Sequence, residues 1–134
     1  MNKATIEFIK QWLAKANEDL LVVEKLTEGE IVAASSVCFH CQQAVEKFLK
    51  VFLIANGIDI KKTHNIEFLL SECSDIDLAF QSIDPKELSD FGVDARYPGD
   101  MYIPDEHETL QYKELAFDIK KLVEKKVYDT LKGD

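Results

Sequence analysis

The sequence predicts an all-α fold, a single domain over residues 1–134 built as an antiparallel up-and-down bundle of about five helices. Two observations lead there. Apolar residues recur at alternating three- and four-residue steps over long segments, the period of an α-helix rather than the strict alternation of a strand. Only five glycines and three prolines interrupt 134 residues, which leaves room for long helices and few turns. The length suits one hydrophobic core and is short for two.

The first helix is expected from about Thr5 to Leu26, on a seam of Ile6, Ile9, Leu13, Ala16, Leu20 and Val23. Gly29 follows, where a left-handed cap residue belongs. The second is expected from about Glu30 to Asn56, with Ala34, Cys38, Cys41, Val45, Phe48, Phe52 and Ala55 on its seam and Asn56-Gly57 as its stop. A short third helix, Asn65 to about Cys73, is built on "NIEFLL". "DPKE" opens a fourth, with Asp84 at the cap, Pro85 at the first helical position and Glu87 near the third; its expected end is about Arg96. In the fifth, Asp105 caps and Glu108 closes a capping box. That helix runs to about Leu131 on a face of Tyr112, Leu115, Ala116, Ile119, Leu122 and Val123.

Charge and composition exclude some functions. A formal net charge of −9 speaks against a protein that coats phosphate backbones, because nonspecific nucleic-acid affinity comes from Lys and Arg. It leaves room for a local basic cleft. Fifteen lysines accompany a single arginine, Arg96, the better bidentate reader of phosphate or carboxylate. The longest apolar run, "VFLIA", is too short to cross a bilayer. "MNKATIEFIK" lacks the pattern of a secretory signal, and with three cysteines the expected compartment is a reducing cytoplasm. Val37, Phe39 and Leu49 lie off the seams, and apolar positions left over by one small bundle point to a homodimer interface.

"CFHC", residues 38 to 41, has the spacing of a zinc or redox pair, but both cysteines fall on the apolar stripe about two turns inside a helix. Zinc pairs favour tight turns and redox pairs favour helix N-termini, so Cys38 and Cys41 are read as core, with no metal. Beside that stripe runs a polar one, Ser36, His40, Gln43, Lys47 and Lys50. It reads either as a solvated or dimer-facing edge, or as a cleft wall suited to a phosphate-bearing ligand, with His40 able to switch near neutral pH. His64, just before the third helix, reads as a local cap. His107 lies in the acidic first turn of the fifth helix. "DARYPGDMY" admits two readings: Arg96 as a structural partner of a nearby carboxylate or helix end, or as an anion anchor beside Tyr97 and Tyr102, whose rings can stack a base.

"WLAKANEDLLVVEKL", "FHCQQAVEKFLKVFLIANG", "KTHNIEFLL" and "DARYPGD", in that order ahead of a long last helix, resemble the HEPN family (higher eukaryote and prokaryote nucleotide-binding domains). The resemblance implies a helical bundle that dimerises through its long helices. It also implies one of two activities. Some members are metal-independent ribonucleases, often toxins, that use an Arg and a His four to six residues apart near the start of the last helix. Others are noncatalytic companions of a minimal nucleotidyltransferase, or nucleotide-binding modules. Here ten residues, including Pro98 and Pro104, separate Arg96 from His107, a departure from the ribonuclease pattern. The expected function is therefore a nucleotide-binding or partner module working with a minimal nucleotidyltransferase, as in a toxin-antitoxin pair, with no required cofactor. Its expected site is lined by His40, Gln43, Lys47, Arg96 and Tyr97. The alternatives are an endoribonuclease toxin using Arg96 and His107, and a purely structural dimer.

Overall fold

A computed structural model describes residues 1–92 and 103–132. Among them are four α-helices, α1 (Lys3–Leu26), α2 (Ala34–Ala55), α3 (Ile66–Ile76) and α4 (Glu106–Leu131), and no strand. Two short 3₁₀ turns, Leu78–Phe80 and Leu88–Gly92, join α3 to the approach of α4. The all-α bundle read from the periodicity is present, with one helix fewer among the described residues.

α1 starts where Asn2 accepts a hydrogen bond from the Thr5 amide at 2.8 Å. Its seam is buried at Ile6, Ile9, Ala16, Leu20 and Val23, and Leu13 is half-buried. α2 begins four residues later than its sequence suggests. Ala33 takes φ 52° and ψ 55°, a left-handed conformation that no helix can pass through, so Glu30 to Ala33 belong to the turn. Gly29, at φ 68°, does occupy the expected left-handed position.

α2 is the axle of the bundle. It packs against α1, α3, α4 and the Leu88–Gly92 turn, and is buried nearly all round. Val37 and Leu49, expected to remain for a dimer interface, are fully buried inside the single chain. The correction has a simple cause: a central helix has several covered faces, so residues off one seam lie on another. Phe48 and Phe52 carry much of this burial, and Phe52 meets Phe80 with ring centroids 4.5 Å apart. A fully buried side chain of that size contributes roughly 1.5–3 kcal/mol.

Asn65 accepts from the Phe68 amide at 2.8 Å and starts α3, which continues one turn beyond its expected end. The expected fourth helix is lost early. Asp84 caps the turn by accepting from the Lys86 amide at 2.9 Å, but Lys86 then adopts φ 53° and breaks the helical path. Only the 3₁₀ turn Leu88–Gly92 follows among the described residues. α4 opens on the expected capping box, Glu108 N–H to Asp105 at 2.8 Å and Asp105 N–H to Glu108 at 3.3 Å. Tyr112, Ala116, Ile119 and Val123 are buried as its pattern requires, with Leu115 and Leu122 half-buried. Lys120 donates to Asn17 at 2.7 Å and Lys113 to Thr27 at 3.0 Å, tying α4 to α1.

Candidate functional site

His40, Gln43 and Lys47 are spaced three and four residues apart on α2, so they share one face. The face looks toward α1, and there Asp19 meets two of them. One Asp19 oxygen lies 2.8 Å from His40 Nδ1, and the other accepts from Lys47 Nζ at 2.5 Å. An ionised carboxylate only accepts, so Nδ1 of His40 carries hydrogen toward it. The His40 ring, set edge-on to Phe39 at 5.3 Å between centroids, is 29% exposed, against 20% for Lys47 and 12% for Asp19. The group is sheltered but open to solvent on one side.

A second polar cluster adjoins the first along α2. Glu46, almost fully buried, accepts from Lys50 at 3.0 Å, from Gln42 at 3.3 Å, and lies 2.7 Å from His64 Nδ1. Gln42 also donates to the His64 backbone carbonyl at 3.2 Å and accepts from Gln43 at 2.9 Å. The Gly92 backbone presses on that amide so closely that an added Cβ would stand 2.8 Å from Gln42. Lys50 is therefore not part of the open stripe. It is buried, paired to Glu46, with its ammonium 5.8 Å from the centre of the Trp12 ring. Nor does His64 cap α3. Asn65 does so, and the His64 ring turns to Glu46 instead.

The three cysteines are free and buried. Burial pushes the thiols up from the ordinary 9.0, Cys38 to about 11 and Cys73 to about 12, and Cys41 is raised as well. A thiolate is thus disfavoured at neutral pH, which suits packed core thiols. Among the described residues no group of three metal-ligating side chains comes together.

The HEPN domain family matches residues 9–129 of the 134-residue chain. The chain belongs to the HEPN family. Comparison with curated proteins and with solved structures gave no match.

In this HEPN chain, His107 stands exposed at the second position of α4, behind the Asp105 cap. Arg96 and Tyr97 lie outside the described residues. Of the sequence-predicted site residues, His40 and Lys47 meet at one point, Gln43 joins the adjoining amide chain, and His107 belongs to a different element. Asp19, Gln42 and Glu46 were not anticipated. Asp19 falls three residues after Ala16 and four before Val23, on the seam of α1 itself, and a carboxylate at seam spacing was the signal. Glu46 stands four residues from both Gln42 and Lys50, the spacing of side-chain pairs along a helix. Among the described residues no helix is long and apolar enough to cross a membrane.

Proposed function

We propose that this HEPN chain is a noncatalytic module that binds a phosphate-bearing nucleotide through α2. In this reading it acts as a cytoplasmic homodimer beside a small nucleotidyltransferase. The supporting observation is the convergence of His40 and Lys47 on one carboxylate, since an imidazole N–H and an ammonium that can share one anion can hold a phosphate. Gln43 on the same face adds an amide, and in this reading Arg96 and Tyr97, which lie outside the described residues, would add a guanidinium fork and a stacking ring. The ribonuclease reading has less support. α4 begins only at Glu106, behind a capped extended residue, so the helix that carries His107 opens well after Arg96 in the chain.

Calorimetric titration with ATP tests the proposal. Wild type binds, Lys47→Met and Arg96→Lys each weaken binding by about 1–3 kcal/mol, and Arg96→Lys keeps the wild-type melting temperature. RNA incubated with the purified chain stays intact. Absence of ATP binding, or binding untouched by Lys47→Met, would overturn the reading. So would RNA cleavage abolished by both Arg96→Ala and His107→Ala.

A further inference from the structure

The hydrogen-bond donors of the candidate site are already occupied. Asp19 spends one oxygen on His40 and the other on Lys47, so a single carboxylate sits where a ligand phosphate would sit. Among the described residues Asp19 is the group of α1 that pairs with this cluster, and its side chain is 12% exposed, which leaves it an edge on water. We propose that Asp19 is the resident anion of the site, displaced by ligand, and that it makes the site select terminal phosphates over phosphodiesters. This rests on the nucleotide-binding reading above.

The selection follows from charge. Asp19 carries one negative charge and is tethered beside its two donors, so it competes at a high effective concentration that a free ligand must match. A phosphodiester in an RNA backbone also carries one charge, and exchanging it for Asp19 gains little. A terminal phosphate is close to doubly charged at neutral pH and offers three acceptor oxygens, so it outcompetes the carboxylate for the same two donors. Displaced, Asp19 needs only to turn toward solvent, because its α1 backbone stays in place. The alternative role is different in kind. If Asp19 merely holds and orients His40 from behind while ligand docks on the outer Nε2, it helps binding and its loss weakens it.

The test compares ATP with the dinucleotide ApA, which has a single diester and no terminal phosphate, on wild type and Asp19→Asn. Asparagine keeps the size and removes the charge. Wild type is expected to bind ATP and to discriminate against ApA. Asp19→Asn is expected to bind ATP about tenfold tighter and to gain measurable ApA binding, because a like charge has left a sheltered site. A second measurement needs no variant: in carbon-13 spectra of wild type, the Asp19 carboxyl resonance moves when ATP saturates the protein. If wild type binds ATP but Asp19→Asn binds it equally or more weakly, the inference is wrong and the nucleotide-binding reading stands. An Asp19 resonance unmoved at saturation has the same meaning. If neither protein binds ATP, both fail together.

Discussion

His40 and His64 are each held through Nδ1 by a carboxylate, at 2.8 Å and 2.7 Å, yet the two pairs are built in opposite senses. At His64 the carboxylate is deep and the ring is open: Glu46 is 6% exposed and the imidazole 70%. At His40 both partners are mostly sheltered between α1 and α2, the ring 29% exposed and Asp19 12%. Glu46 is further committed to a buried ammonium and a buried amide, so it anchors the segment before α3 onto α2. Among the described residues Asp19 meets two donors, His40 and Lys47, both reachable from solvent. The same imidazole–carboxylate contact thus serves as a rivet in one place and as an exchangeable contact in the other. What differs is how many other buried groups depend on the carboxylate.

Removing each carboxylate in turn breaks or sharpens this contrast, and the largest effect is expected at Glu46. Glu46→Ala leaves the Lys50 charge buried without its partner and should cost about 3–5 kcal/mol in urea unfolding, whereas Asp19→Ala should cost about 1 kcal/mol. Replacing both Glu46 and Lys50 with Met should recover most of the loss, since a well-packed apolar pair matches a buried ion pair. Equal costs for the two alanine variants would erase the distinction.

A middle-sized effect is expected from the thiols, which are buried like Glu46 but carry no charge when protonated. Cys38→Ala and Cys41→Ala should each cost about 1 kcal/mol and leave ATP binding and metal content unchanged. The folded Cys38 holds its proton up to about pH 11 while the unfolded thiol releases it near 9.0. Protons are then bound more tightly by the folded chain, so stability declines as pH rises through that window. The decline should be shallower in Cys38→Ala, and an identical slope would show that the thiol is not desolvated.

The smallest effect belongs to a half-exposed pair, 32% and 27%, more open than Lys47 and Asp19 at 20% and 12%. Lys126 donates to Asp77 at 2.8 Å and, with the Ala79 amide, holds that carboxyl below its usual 3.8. Its small stabilisation is present above that ordinary value and fades as pH falls through the lowered one. Lys126→Ala should shift the midpoint less than either of the other variants, and the shift should shrink further in high salt. A change as large as that of Asp19→Ala would mean that solvent exposure does not rank these pairs.

Much of the fold was legible because it rests on local rules. Seam spacing located α1, α2 and α4, and the capping box at Asp105 and Glu108 fixed the start of α4 to the residue, since the bonds it makes span only three positions. The burial of Cys38 and Cys41 followed from the same periodicity. Where local signals misled, a single backbone angle decided. Ala33 and Lys86 both take positive φ, which neither residue type announces; the second helix starts late, and among the described residues of the expected fourth only a 3₁₀ turn follows Lys86.

For the candidate site, the sequence by itself determined that His40, Gln43 and Lys47 share a face of one helix, because helical geometry fixes which neighbours align. It determined too that the lone guanidinium, Arg96, lies outside that helix. Only the tertiary structure decided what the face looks at. Asp19 reaches His40 across 21 positions of chain and Glu46 reaches His64 across 18, and no period within one helix encodes either. The packing of α1 on α2 brings the first carboxylate to its two donors. The packing of α3's approach on α2 brings the second imidazole to its carboxylate. Whether Lys50 faces water or a buried Glu46 was settled by the same event, because burial depends on which helices close over a face and not on the face's own residues.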